Sequence, residues 1–387
     1  MKRTLVTLWV TFGLLAAQAA QAADVTLALR YRGETRQFEN LTSRASSACA
    51  RVAALCDKPL QGLVQLEASF EKQVDGEQAD GFHLARPSQP GILYLTREGS
   101  AEQARVEIEI THIGGVVTRM GDGPALPLQP GLQSSGCQAV LNAGAGHPLL
   151  WAVPANGCRV GLPPSDVGRY RVRNLLLGYR LKMPNPASLA AGRYRGRIQY
   201  SLGPDRDIGL GSNRTVTALD TDSVAFHVEL EVLHDLDVRF GADAQRVVLE
   251  PRPGWERYAG RHGLPGKLEK DIPFTLTSSG PFKVWATCSS SANVGCPLQA
   301  ANGDRTPLYL AVSLSGALHR GSAVNRRALS LGGEQHALAF DLPADGPGLY
   351  RGLLHFHVLP QGMSGAERMK PGQVYTGAVT VVFDASL

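Results

Sequence analysis

The chain has 387 residues, a formal net charge of +5 and 6% aromatic residues, with 43 glycines and 24 prolines. This length allows two domains of ordinary size, and the frequent turn residues with few helical runs favour an all-β architecture. The basic residues are scattered among strand-like segments without interleaved stacking aromatics, which argues against a nucleic-acid partner.

The first 22 residues have the pattern of a secretory signal peptide. Lys2 and Arg3 precede an apolar run over residues 5–17, and residues 20–22 read Ala-Gln-Ala, a small-x-small cleavage site. The apolar run is too short for a membrane anchor, and no later segment is long and apolar enough to span a bilayer. We expect the mature protein to start near Ala23.

Six cysteines follow the cleavage site, and an even number in an oxidising compartment makes disulfides the expected chemistry. Many pairings are possible, and the sequential spacing makes local pairing the simplest expectation. No CxxC motif and no histidine at zinc-like spacing accompanies them, so we expect no metal site. The cysteines are Cys49, Cys56, Cys137, Cys158, Cys288 and Cys296.

Alternation of apolar and polar residues predicts strands along most of the mature chain. In the first half, the predicted strands cover residues 25–31, 62–70, 91–97, 104–113, 174–202 (two strands around a Pro-rich turn) and 224–240. In the second half, they cover residues 245–251, 271–279, 281–288, 308–316, 335–342, 349–359 and 374–384. A short helix or turn is predicted around the first cysteine pair, and no helix of three turns is expected.

The closing stretch, PGQVYTGAVTVVFDASL, predicts an apolar strand at the chain terminus. After a Pro-Gly turn, Tyr375, Val379, Val381 and Phe383 share one face of this strand. An open apolar sheet edge is an aggregation hazard, so we expect this strand to pair with a partner.

A pattern of a small residue, a tyrosine and a glycine precedes three alternating strands, at residues 191–202, 347–359 and 371–383. The glycine allows a tight entry to the strand. The tyrosine can fold back onto the preceding corner, as it does in immunoglobulin-like sandwiches. The repetition predicts two related β-sandwiches.

Enzyme motifs are missing from the sequence: there is no nucleophile elbow, P-loop, zinc-protease helix motif or dinucleotide-binding glycine motif. Glu107 and Glu109 share a strand face, but a glycosidase would need one of them in apolar surroundings that raise its pKa. His355 and His357 also share a strand face, without further ligands for a metal. We interpret all four as solvated surface residues.

Arginines recur with period two at Arg193, Arg195 and Arg197, which places three guanidinium groups on one sheet face, with Arg206 just beyond the strand. A second such stripe covers residues 169–173. Guanidinium groups bind carboxylates and sulfates through two hydrogen bonds, so an acidic glycan is a candidate ligand. The alternative is a solvated face neutralised by local acids.

Together, these features resemble bacterial fimbrial subunits, and more narrowly the tip adhesins of class 5 (alternate chaperone–usher, CFA/I- and cable-pilus-type) fimbriae. The closing stretch resembles the family's final GxYxGxxxxxF strand. Residues 177–202 resemble the strand, P-x-x-x-L turn and strand near the end of its adhesin domain. The order of the first two cysteine pairs fits its N-terminal domain.

The resemblance implies an adhesin domain over residues 23–239 and a pilin domain over residues 240–387. The pilin domain would be an incomplete immunoglobulin-like fold with a chaperone and donor-strand edge formed by the four closing-strand residues Tyr375, Val379, Val381 and Phe383. A periplasmic pilus chaperone and then the major pilin subunit would lend the missing strand. Because the mature N-terminus runs directly into a strand, it leaves no extension to donate, as expected at a tip.

The resemblance further implies an outer-membrane usher and a host glycan as partners, no cofactor, and transit through the periplasm to the fimbrial tip. The subunit would initiate the pilus without catalysing a reaction. Glycan specificity does not transfer, because Arg206 alone stands where the family has several basic residues. The alternatives are a structural minor pilin without receptor binding and a periplasmic carbohydrate-active enzyme.

Overall fold

The fold is all-β, as predicted. The computed structural model describes residues 22–74, 82–121, 134–141, 148–160, 167–211, 215–252, 254–258, 264–288, 295–329, 331–343, 348–361 and 368–385. The predicted signal peptide lies outside the described residues except for Ala22. The α-helices in the described part are α1 (Ser46–Cys49) and α2 (Ala53–Cys56), stapled as predicted around the first cysteine pair. No described helix is long and apolar enough to cross a membrane.

Short 3-10 turns occupy Pro186–Ser188, Ala242–Gln245, Trp255–Tyr258 and Glu334–His336. The strands of the first half are β1 (Ala22–Arg32), β2 (Gln37–Asn40), β3 (Gln61–Leu66), β4 (Phe70–Val74), β5 (Phe82–Leu84), β6 (Gly91–Arg97), β7 (Gln103–Arg119), β8 (Ser134–Ser135), β9 (Gln138–Leu141), β10 (Pro148–Ala152), β11 (Cys158–Val160), β12 (Gly168–Lys182), β13 (Gly192–Gly203), β14 (Ile208–Gly209), β15 (Val216–Thr217) and β16 (Ser223–Leu233). The strands of the second half are β17 (Leu236–Phe240), β18 (Leu268–Ser278), β19 (Phe282–Cys288), β20 (Cys296–Ala300), β21 (Arg305–His319), β22 (Ser322–Ala328), β23 (Leu338–Phe340), β24 (Leu349–Val358), β25 (Tyr375–Thr376) and β26 (Val379–Asp384).

The two halves form separate sheets. In the first half, a large sheet runs in the order β15-β4-β12-β7-β6-β13-β16-β1-β2, and β5-β11-β8 form a small one. In the second half, one sheet runs β17-β18-β24-β21-β20-β25, with β22 paired to β21, and a smaller sheet runs β23-β19-β26. Most neighbours are antiparallel, but β1 is parallel to β16 along its full length.

Two main hydrophobic cores accompany these sheets. The first joins buried residues between Val25 and Val232, and the second joins buried residues between Leu268 and Val358. Period-two alternation explains both, because the inward-facing residues of each strand fall on one side of its sheet. The assignment of residues 23–239 and 240–387 to two domains remains a prediction.

The predicted run over residues 224–240 is divided between the two halves. β16 ends at Leu233, and β17 begins at Leu236 in a different sheet. His234 lies at the division, with Nε2 2.6 Å from the carbonyl oxygen of Leu189 and Nδ1 3.2 Å from Ser279 Oγ. The alternation continues across the break, so it did not reveal the change of sheet.

Two of the three predicted tyrosine corners fold back as expected. Tyr194 is fully buried, and its Oη lies 2.9 Å from the carbonyl oxygen of Ala190 and from Glu102 Oε1. Tyr375 Oη accepts a hydrogen bond from the backbone N–H of Lys370 at 2.9 Å. The tyrosines therefore fasten each strand to the corner that precedes it.

Candidate functional site

The closing stretch forms two short strands that join different sheets. β25 pairs with the end of β20, whereas β26 pairs along its length with β19. The single strand predicted over residues 374–384 is thus interrupted at Gly377 and Ala378. A Cβ atom on Gly377 would lie 2.7 Å from Leu298 Cδ2 and 3.0 Å from the carbonyl oxygen of Pro297, so a larger residue here would require Leu298 to move.

β26 lies at the edge of the sheet β23-β19-β26. Among the strands that the structure describes, none pairs with its outer edge. An edge strand presents backbone N–H and C=O groups to its surroundings along that side. The outer edge of β26 can therefore accept one more strand.

The side chains of β26 alternate as the sequence predicted. Val379, Val381 and Phe383 are partly buried and pack against the second core, while Thr380 is exposed. The centroid of the Phe383 ring lies 5.3 Å from that of Phe274 in β18. One face of the edge strand thus belongs to the core, although its edge is open.

A groove with a volume of about 1090 Å³ lies beside this edge. It is lined by residues 373–379 and Val381 of the closing stretch, by residues 240–242 and 244–249, by Trp255 and Met369, and by apolar residues of the second core. The core residues that line it are Leu268, Ile272, Leu298, Leu308, Leu354, Phe356 and Val358. Three of the four predicted edge residues, Tyr375, Val379 and Val381, line the groove.

Residues 245–249 line the groove, but the segment 245–251 does not form the strand that alternation predicted. After the 3-10 turn ending at Gln245, the chain makes a single bridge, between Glu250 and Glu269. Val247 and Leu249 pack against the second core, whereas Val248 is 58% exposed. The alternation here reflects packing of every second residue against the second core rather than membership of a sheet.

The disulfide Cys288–Cys296 connects the two strands that hold the closing stretch. Cys288 is the last residue of β19 and pairs with Val379 of β26. Cys296 is the first residue of β20, which pairs with β25. The other two disulfides, Cys49–Cys56 and Cys137–Cys158, also join sequential cysteines, as the spacing predicted.

Arg193 and Arg195 lie on the exposed face of β13 as predicted, and both contact acids on neighbouring elements. Arg193 Nε is 3.7 Å from Glu231 Oε1. Arg195 reaches Glu98 at 2.7 Å and Glu229 at 3.3 Å. These ion pairs agree with the alternative interpretation of the stripe, in which nearby acids neutralise the arginines.

Arg197 differs from its two neighbours in the stripe. Its Nη2 donates to Gln199 Oε1 at 3.1 Å, and within the described ranges no acid forms an ion pair with it. Arg206 is exposed in the turn between β13 and β14. A role for these arginines in receptor binding stays a prediction.

The acidic pair at Glu107 and Glu109 lies among basic groups. Glu107 Oε1 is 2.6 Å from Arg105 Nη1, and the hydrogen bond from this guanidinium lowers the pKa of Glu107. Glu109 Oε1 is 3.1 Å from Arg86 Nη2. A lowered pKa is the opposite of what a general acid in a glycosidase requires.

The two histidines of β24 have different surroundings. His357 stacks on Tyr309 with ring centroids 5.2 Å apart. His355 is 4% exposed, so its interpretation as a surface residue was wrong. Sequence periodicity placed it on the outer face of the sheet but could not show that its ring lies between Asp271 of β18 and Ser313 of β21. No group of three or more residues that could hold a metal ion occurs in the described part of the chain.

The sequence matches no protein-family profile and no curated protein. Among solved structures, the chain is similar to one from the CsuC-CsuE chaperone–tip adhesion subunit pre-assembly complex of the archaic chaperone-usher Csu pili of Acinetobacter baumannii. The identity is 10%, the match covers 94% of this chain and 98% of that chain, and the TM-score is 0.22. Similarity at this TM-score carries no argument about function.

Proposed function

We propose that this chain is the tip subunit of a chaperone–usher pilus, which starts the fibre by accepting a strand from another polypeptide. The observation that carries the proposal is the open edge of β26 beside an apolar groove of about 1090 Å³. An exposed groove with many apolar residues in its lining marks a place where a ligand or partner binds.

A donated strand would pair with the open edge of β26 and cover the groove beside it at the same time. Its backbone would pair with the six residues of β26, and every second side chain would enter the groove. In this proposal a periplasmic chaperone supplies the strand first, and the N-terminal extension of the major pilin replaces it at the outer-membrane usher. The resemblance of the closing stretch to the final strand of class 5 tip adhesins supports this order of partners.

The test is a pair of aspartate variants on the same strand. Val381→Asp places a charge on the groove-lining face of β26 and should abolish recovery of the chain with its proposed chaperone. Thr380→Asp adds the same charge on the exposed face and should leave co-purification unchanged. Equal recovery of the two variants with the chaperone would refute strand acceptance at this edge.

Attachment to a host surface glycan is the second part of the proposal, placed on the first half of the chain. Arg197 and Arg206 are the favoured contacts, because Arg193 and Arg195 already face carboxylates. We expect the chaperone-bound chain to bind acidic members of a glycan array, and Arg197→Gln to weaken that binding. An array without any bound glycan would favour the alternative of a structural minor pilin.

A further inference from the structure

Three polar side chains meet on the outer face of the larger second-half sheet, away from the groove. Asp271 of β18 and His355 of β24 are directly paired in register. His355 Nδ1 lies 2.7 Å from Asp271 Oδ1, and His355 Nε2 lies 2.8 Å from Ser313 Oγ of β21. A hydroxyl, an imidazole and a carboxylate are thus connected in series through the two nitrogens of one ring.

The hydrogen bonds indicate which way the protons point. A carboxylate only accepts hydrogen bonds, so Nδ1 of a neutral His355 carries the proton and donates it to Asp271. Nε2 is then an acceptor, and the Ser313 hydroxyl donates to it. This is the tautomer in which an imidazole can remove a proton from a serine.

Asp271 is held in its charged form. Arg252 Nη2 lies 3.0 Å and Arg326 Nη2 lies 3.5 Å from Asp271 Oδ2. Burial on its own would raise the pKa of Asp271, but the hydrogen bond from His355 and the two guanidinium charges lower it overall. A stable negative charge keeps the imidazole oriented and stabilises it when it becomes protonated.

Ser313 lies at the wall of a second cleft with a volume of about 730 Å³, which adjoins the groove at Phe240 and Gly241. Phe240, Phe274, Val324 and Leu353 supply much of the apolar lining of this cleft. The cleft is open on one side, and Ser313 is partly exposed. An apolar group could therefore bind next to the serine hydroxyl.

Two groups of β22 also contact the Ser313 oxygen. The backbone N–H of Arg326 donates to Ser313 Oγ at 2.8 Å, and Asn325 Oδ1 lies 3.3 Å from Ser313 Oγ as a second acceptor for its hydroxyl. Arg326 adopts a left-handed backbone conformation with φ of 46°, which is uncommon for a residue with a side chain. Strained backbone that aims a donor at one atom is typical of functional sites.

We propose that Ser313 and His355, with Asp271 as a positioning residue, form a serine-hydrolase site for carboxylic esters with an apolar acyl group. Ser313 Oγ attacks the ester carbonyl carbon as its proton moves to His355 Nε2. The ester C–O bond breaks, and His355 returns the proton to the departing alcohol.

The acyl group is then carried on Ser313. A water molecule gives a proton to His355 and its oxygen to the acyl carbon, which releases a carboxylic acid and restores the serine hydroxyl. One ester and one water thus give one acid and one alcohol. The side chains of Ser313, His355 and Asp271 lie on the sheet face opposite the core-facing residues of their strands, whereas the cleft beside them shares Phe240 and Gly241 with the groove.

A fluorophosphonate probe tests this proposal on the full mature chain, since it labels a serine only when a neighbouring base activates it. We expect peptide mapping to find the label on Ser313 and the chain to hydrolyse 4-nitrophenyl butyrate. Ser313→Ala should abolish both. His355→Gln should slow both by about 100-fold or more, as loss of a general base typically does.

Ser315→Ala is the matched control, because Ser315 lines the same cleft without a histidine partner among its described contacts. This variant should be labelled like the unaltered chain, and circular dichroism should show the same fold for all of the variants. Absence of label on the unaltered chain, or label that persists in Ser313→Ala, would overturn the proposal.

Discussion

Removal of the Cys288–Cys296 disulfide tests whether this bond supports the groove. The bond closes a loop with a sequence separation of 8, and the chain-entropy model gives about 2.5 kcal/mol of stabilisation for a loop of this length. Cys49–Cys56 has a separation of 7, so its entropic contribution is nearly the same. Replacing each pair with alanine should therefore cost similar free energies of unfolding in the two halves.

The two double variants should differ in strand acceptance. Cys288 and Cys296 anchor the strands that pair with β26 and β25, whereas Cys49 and Cys56 belong to a small cluster in the first half. We expect the Cys288→Ala/Cys296→Ala variant alone to lose co-purification with the chaperone.

Urea unfolding followed by peptide-resolved hydrogen exchange would measure each half separately. A loss of about 2.5 kcal/mol corresponds to a midpoint shift of about 1 M urea. If the second half keeps its midpoint in the Cys288→Ala/Cys296→Ala variant, the entropic reasoning is wrong. If both double variants lose the chaperone equally, the disulfide has no special relation to the groove.

Two further predictions concern the first half. Burial lowers the pKa of His112 from 6.5 to about 4. Between these pH values the unfolded chain takes up a proton that the folded chain does not. The free energy of unfolding should therefore fall by up to about 3 kcal/mol as the pH drops from 6.5 to 4. Urea midpoints at about pH 7 and pH 4.5 should differ less in His112→Gln, and an unchanged difference would contradict this assignment. Tyr194→Phe should lower the free energy of unfolding by about 1–3 kcal/mol in thermal unfolding, because its buried partners lose a hydrogen bond. Tyr94→Phe, at a 55% exposed site, is the control and should change it very little. Equal losses in the two variants would show that the corner hydrogen bond is unimportant.

The sequence alone determined the features that depend on neighbouring residues. Period-two alternation identified most strands and placed Val379, Val381 and Phe383 on the core-facing side of β26, because successive side chains of any strand point to opposite faces. Short spacing predicted the sequential disulfides. The tyrosine and glycine pattern predicted the corners at Tyr194 and Tyr375.

Tertiary structure decided which strands meet. Residues 224–240 alternate without interruption, yet they enter two sheets, and residues 245–251 alternate without entering any sheet. The edge position of β26, the covering of His355 and its approach to Ser313 all depend on pairings between segments tens of residues apart. Local alternation carries no information on such pairings, because sheet order is set by long-range packing and strand register. The open edge and the serine site became visible only when those partners were in place.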